Sequence, residues 1–395
     1  MKRFCTLLLA LAVVLPAFAQ GHNTGTGGPD GDYASLAQRV LKLEKKTDAF
    51  NLYLNYAASF QESLGDWNSA FRAKQLRLEI KGTFGGRLSY RLRHRLNKAQ
   101  GAMSEENFAK ATDIMMVGWK FNEHWTIQGG KMCQYWGGFE FDENPMYIYQ
   151  YSDLLDNMDN FLVGGALLYS PIPSQEFVLN ITNSYSGKFA DEYGANARTA
   201  SGKALTAAKH PLSYLFNWNG NFWGDRIQTR WSIGAYTQCL QEDLSAPCYD
   251  VLVYLGQKLN LPKFQIYFDY MTNREQVDRM RIATGLLNAG EAGVYQTNVR
   301  YDAFITKLNW QFAPRFNLMG KYMYETASTQ ELPLFRRSMG WIGCLEYYPM
   351  KDQDFRVSLC YVGRNYSYTR ESGLTGLNAM AHRIELGFMY RIKCY

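Results

Sequence analysis

The chain has 395 residues, 42 Lys and Arg against 36 Asp and Glu, and a formal net charge of +6, with 47% apolar and 15% aromatic residues. Its modest charge excludes a disordered chain, and its few Pro and Gly exclude a collagen-like one. A mean hydropathy of −0.33, with no long apolar run beyond the N-terminus, excludes a helical membrane protein. The usual division of such a length into two or three soluble domains is the default to test, because 28 Tyr and 23 Phe are many for so polar a chain.

Met1, Lys2 and Arg3 precede an apolar run over 4–15, and Ala17 and Ala19 stand at −3 and −1 before Gln20. This is the pattern of a secretory signal peptide over 1–19, so the chain leaves the cytoplasm. Cys5 lies inside the apolar run, so no lipid anchor is expected. The remaining cysteines are too few for a disulfide-built scaffold of this length. Cys239 and Cys248, in a polar segment, are either a loop-closing bridge or two free thiols. Cys133, Cys344, Cys360 and Cys394 show no metal-ligand spacing, and no metal or cofactor is expected. Residues 20–32 read as a Gly-rich polar linker. Leu36, Val40, Leu43, Thr47 and Phe50 then alternate spacings of four and three among charged residues. They predict a short periplasmic helix within 20–49, either a coiled coil or an amphipathic helix folded on its own chain.

From residue 50 to the C-terminus the period falls to two. Strands are predicted at 50–60, 71–82, 87–96, 112–121, 125–132, 160–169, 175–184 and 210–219. Eight more follow at 226–236, 249–258, 264–272, 300–312, 316–326, 338–348, 355–366 and 382–392. Most have the length a tilted strand needs to cross a bilayer. The connections alternate strictly between long (61–70, 97–111, 133–159, 185–209 and onward) and tight. That sorting puts every long loop at one end and every tight turn at the other, as in an all-β, 16-stranded antiparallel transmembrane β-barrel of the outer membrane. One face of each strand is apolar and aromatic, for example Leu212, Tyr214, Phe216 and Trp218, and the other is polar or charged. Periodicity alone does not tell inside from outside; the sorted loops, the strand count and the aromatic strand ends favour apolar-out. Glu385, Gly387, Tyr390 and Ile392 resemble the C-terminal signal by which bacterial barrels engage their assembly machinery.

Parity assigns side chains to the lumen. Arg77 and Lys81 from the second strand join Arg87, Arg91, Arg93 and Arg95 from the third in a basic wall, and Arg226 and Arg230 are inward cations further round. Like charges this close repel unless solvent and a counter-anion screen them, so the wall is expected to attract small anions such as chloride or phosphate. The third long loop, 133–159, with Lys131 just before it, is the expected constriction. Tyr135, Trp136, Gly137, Gly138, Glu140, Asp142 and Glu143 combine aromatic mass, flexibility and acids that would face the arginine wall.

The layout of signal peptide, short helix and sixteen-strand barrel resembles the phosphate-selective porin O and P family. So do the segments Ile127-Gln128-Gly129-Gly130-Lys131-Met132 through Phe139-Glu140, and Asp159-Asn160-Phe161-Leu162-Val163-Gly164. The resemblance implies a homotrimer and passive anion uptake, with the arginine row as the counterpart of that family's arginine ladder. That family's phosphate site also uses loop lysines; here Lys131 alone stands near the third loop, and the fifth carries Glu242 and Asp243. Two other readings stay open: a general porin for sugars or peptides, and a barrel displaying surface loops for adhesion. The five histidines (His22, His94, His124, His210, His382) form no catalytic motif, no nucleotide fingerprint is present, and neither an enzyme nor a nucleic-acid partner is expected.

Overall fold

The computed structural model describes residues 49–65, 68–242, 248–288, 291–350 and 353–394. The expected signal peptide, the linker and the heptad positions up to Thr47 lie outside these residues. Sixteen antiparallel strands close into one barrel. They are β1 (Asn51–Ser63), β2 (Asn68–Phe84), β3 (Leu88–Arg95), β4 (Thr112–Lys120), β5 (Trp125–Cys133), β6 (Phe161–Ile172), β7 (Gln175–Asn183) and β8 (Leu212–Phe222). The ring continues through β9 (Ile227–Thr237), β10 (Tyr249–Asn260), β11 (Phe264–Val277), β12 (Thr297–Ala313), β13 (Phe316–Ser328), β14 (Arg336–Tyr347), β15 (Asp354–Tyr368) and β16 (Ala379–Lys393). β16 pairs with β1 and leaves no open edge.

The question of inside and outside is answered by burial. Tyr53, Asn55, Ala57 and Ser59 of β1 are buried, while Leu52, Leu54 and Tyr56 between them are partly exposed. The same inversion runs round the ring: Trp119, Ile127, Leu179, Phe216, Phe268, Phe304 and Leu359 are exposed, and Arg77, Glu79, Asp269, Lys307, Glu325 and Glu346 are buried. An apolar exterior over a polar interior is the partition a bilayer requires and water does not.

Tight turns occupy one end, with both barrel termini. In the β2–β3 turn Gly85 and Gly86 hold φ of 57° and 66°, the left-handed backbone a two-residue hairpin needs. The long connections lie at the other end, with one exception. The expected first long loop, 61–70, shrinks to 64–67, because β1 and β2 pair on to Ser63 and Asn68. Outside the barrel, Leu205–Ala207 pairs with Cys239–Gln241 and Arg198–Thr199 with Val294–Tyr295, tying three outer loops together. In the C-terminal strand, a side chain at Gly387 would meet Ser59 Cβ at 2.8 Å and the Ala58 carbonyl oxygen at 2.9 Å, so closure of the ring requires glycine there.

The bridge considered between Cys239 and Cys248 is not formed: both thiols are free and buried, and the segment closes through the backbone, Cys248 N–H donating to the Cys239 carbonyl at 2.8 Å. The disulfide instead joins Cys344 of β14 to Cys360 of β15, which face each other in register.

Candidate functional site

The segment 134–160 turns into the barrel and supplies its core. Trp136 stacks on Tyr236 of β9 and meets Tyr254 of β10 at a tilt, with ring centroids 5.4 and 5.3 Å away. Gly137 and Gly138 then pass so close to the wall that a side chain at Gly137 would sit 2.8 Å from the Arg230 carbonyl oxygen and 2.9 Å from that of Tyr254. Gly137 N–H donates to Ser232 Oγ at 2.8 Å, and Gly138 N–H to the Arg230 carbonyl at 3.0 Å. The short helix α1 (Phe139–Asp142) points its N-terminus at Asp269 of β11, whose carboxylate accepts from the N–H groups of Phe139 and Glu140 at 2.8 Å. A carboxylate at a helix N-terminus answers the unpaired N–H groups there. A second helix, α2 (Asp153–Asn157), is capped by Ser152 and donates Leu154 N–H to Glu325 of β13 at 3.2 Å.

Four of the six acids of this loop pair with cations elsewhere on the barrel, not with the arginine row, which corrects the expected field between loop and row. Glu140, fully buried, binds Lys321 of β13 and accepts from Ser152 N–H and Oγ–H at 2.9 and 2.6 Å. Asp142 binds Arg230 of β9 at 2.9 Å, and Glu143 binds Lys307 of β12 at 2.5 Å. Asp153 takes both Arg336 of β14 and Arg364 of β15. Tyr149 donates to Glu346 of β14 at 2.7 Å. Burial pushes its hydroxyl well above the usual tyrosine range, so it stays protonated as a donor.

The other wall is different. Across β2 and β3, Arg77 faces Arg95, Glu79 faces Arg93, and Lys81 faces Arg91. Glu79 binds Arg91 at 2.7 Å and Arg391 of β16 at 3.2 Å. Asp113 of β4 binds Arg95 at 2.7 Å and Arg93 at 3.2 Å, with Arg77 at 3.8 Å. Arg93 and Arg95 also lie over the Phe161 ring, at 5.1 and 5.8 Å. Among the described residues these four guanidinium groups of β2 and β3 thus share two carboxylates, one of which also holds Arg391, and Arg77 Nη1 has no hydrogen-bond partner. The cluster keeps a net positive charge.

Between this wall and the loop lies a cavity of about 1590 Å³. Arg77, Arg91, Arg93 and Arg95 line it, opposite Phe141, Tyr147 and Tyr151 of the loop. Around the whole lining stand thirteen Arg and Lys against nine Asp and Glu. Towards the tight-turn end the lining changes to amides, among them Asn217, Asn219, Asn221, Gln228 and Asn309.

Of the predicted wall residues, Arg77, Arg91, Arg93, Arg95 and Arg230 line this cavity, and Lys81 stands on the inner face over the Tyr53 ring at 5.6 Å. Arg87 and Arg226 do not belong to the wall: both are exposed in tight turns, because β3 and β9 each start one residue later than expected. Lys131 is buried and bound to Glu106 of the loop 96–111 at 2.7 Å. Tyr135 reaches the lining and donates to Gln128 at 2.6 Å. Sequence reasoning missed Asp113. It sits at a register shift between β3 and β4, an extra residue that parity counting does not place. Arg391 is not among the predicted wall residues, because its reach to Glu79 depends on the closure of β16 on β1.

No curated protein sequence matches the chain. The barrel is similar to solved outer-membrane proteins: the channel DcaP of Acinetobacter baumannii (9% identity, 87% of this chain and 97% of that one, TM-score 0.59), OmpT of Vibrio cholerae (11%, 88% and 99%, 0.55) and Salmonella typhi OmpF in complex with daunomycin (12%, 88% and 98%, 0.57). At these identities the likeness is one of fold. The sequence pattern of the family described as phosphate-selective porin O and P matches residues 50–392, and the chain belongs to that family, a porin of the outer membrane.

Proposed function

We propose that the barrel is a passive diffusion channel that prefers small anions, phosphate among them, and that the β2–β3 wall sets this preference. The observation that carries the reading is the excess of the four guanidinium groups that line the cavity over the two carboxylates they share among the described residues. An anion passing there replaces screening that the protein itself does not supply. Four of the six loop acids, Glu140, Asp142, Glu143 and Asp153, are held by cations elsewhere on the barrel and do not oppose it. On this reading the leader over 1–19 is removed on export, the C-terminal strand engages the assembly machinery, and three copies assemble in outer-membrane lipid.

The test is the reversal potential of the purified protein in a planar bilayer under a KCl gradient. The expected sign is that of chloride preference, and Arg91→Gln, Arg93→Gln and Arg95→Gln together reduce or reverse it. Cation preference in the unaltered protein overturns the reading. Low phosphate then tests the finer claim, by blocking or sparing the chloride current. The amide lining around Asn217, Asn219 and Asn221 favours a second reading, a general porin for neutral polar solutes. Absence of phosphate block together with uptake of a neutral sugar in liposome swelling would favour it.

A further inference from the structure

The lumen uses most of the cations on the strands, but three arginines stand on the outer face, where the barrel meets lipid: Arg274 on β11, Arg300 on β12 and Arg337 on β14, all exposed. Their placement is regular. Each stands four residues from an outward aromatic ring, on its extracellular side: Arg274 beyond Tyr270, Arg300 beyond Phe304, Arg337 beyond Trp341. Four residues of strand span about 13 Å. The rings of Tyr270 and Phe304 meet at a tilt with centroids 4.8 Å apart, and below them the outward positions include Phe268, Ile266, Leu308 and Leu345. An aromatic belt at the end of an apolar band marks the membrane interface. The arginines therefore stand one step outside it, at the height of the outer-leaflet headgroups.

Their electrostatics favour an anion. Arg274 and Arg300 are direct cross-strand partners, and like charges placed so are destabilising unless screened. Arg300 is held by Asp302 at 2.8 Å, and Tyr270 donates to the same carboxylate at 2.9 Å, which fixes the guanidinium beside Arg274. Arg337 lies two strands on, paired with Thr326, the residue that also faces Asp302. Neither the Arg274 nor the Arg337 side chain has a hydrogen bond or ion pair among the described residues. Three guanidiniums with one carboxylate leave two positive charges on about three strand widths of surface. Planar guanidinium forks suit phosphate, where they bond in pairs.

We infer that this face is a docking site for the phosphorylated sugar headgroup of an outer-leaflet glycolipid, its acyl chains lying on the apolar band below. The inference uses the membrane location and not the anion preference of the lumen, so either can fail without the other.

The experiment is native mass spectrometry of the full-length protein released from detergent, titrated with lipid A and, separately, with the same lipid stripped of its phosphates. The expected result is a retained lipid A adduct that weakens on the order of tenfold or more in Arg274→Gln/Arg337→Gln. Both residues are exposed, and unchanged channel conductance shows that the variant has folded. An equal adduct with the stripped lipid, or equal retention by the variant, overturns the proposal. So does inorganic phosphate competing at the lipid's own concentration, which would mean a free-anion site. A change in oligomer mass in place of lipid loss would make the face a contact between copies, and overturns it as well.

Discussion

On the wall formed by β9 and β12–β15, inward cations meet carboxylates near at hand: Arg230 meets Asp142, Lys307 meets Glu143, Lys321 meets Glu140, and Arg336 and Arg364 meet Asp153. On β2 and β3 the arginines outnumber their acids, and part of their charge faces the cavity. Both walls carry inward cations in sequence. The difference lies in where the loop 134–160 leans. Against the first wall it brings its own acids, so those cations act as fasteners. Away from it the second wall keeps a field, and a field in a narrow low-dielectric passage acts on whatever ion passes.

The contrast is most severely tested at Glu140, the buried fastener. Glu140→Ala removes the partner of Lys321, itself buried, and an uncompensated buried charge costs about 3–5 kcal/mol. The expected outcome is a lower unfolding midpoint by circular dichroism, with larger and noisier single-channel steps as the loop releases. Unchanged conductance would show that the remaining ion pairs and the aromatic and glycine contacts hold the loop without this pair.

A change of the other kind comes from Asp113, which three arginines approach. Asp113→Asn adds one net positive charge to the field-bearing wall and leaves the loop fasteners untouched. Chloride preference should rise, and the gain should shrink as salt is raised, because the screening length falls from about 8 Å at physiological ionic strength to about 3 Å at 1 M. An unaltered reversal potential would mean that selectivity is set elsewhere.

Why the barrel was legible and the site only half so follows from the range of the signals. Alternation in Leu52, Leu54 and Tyr56, or in Phe264, Ile266 and Phe268, is local, and a strand of period two has only one way to bury polar side chains inside a ring. Loop sorting is local too, and both survive with shifts of a few residues. The inward course of 134–160 was visible in Gly137 and Gly138, whose lack of side chains is what lets the loop touch the wall. Which cation each loop acid meets was not visible. Glu140 to Lys321 and Asp153 to Arg364 are contacts across the lumen, and nothing in the neighbouring sequence encodes them. Arg87 and Arg226 failed for a smaller reason: at a strand end, one residue separates wall from turn.

The disulfide was encoded more openly than it looked, and it defines the weakest effect. Cys344 and Cys360 are sixteen positions apart and placed nearly symmetrically about the tight connection between β14 and β15, so a hairpin of ordinary register brings them face to face. The bridge lies on the fastened wall, between Glu346 with Arg356 on one side and Arg336 with Arg364 on the other. A crosslink closing a loop of this size can add roughly 3 kcal/mol when the chain is otherwise free. Here the two strands are already paired from Arg336 to Tyr347, and each is paired again to its other neighbour. That pairing keeps the native geometry without the crosslink, so loss of the bridge only returns chain entropy to the unfolded state. Cys344→Ala/Cys360→Ala should lower the unfolding midpoint slightly, by less than the Glu140 change, and leave chloride preference where it was. A shift in selectivity on breaking this bridge would mean that the two walls are mechanically coupled, and that the field on β2 and β3 depends on how firmly the opposite side is fastened.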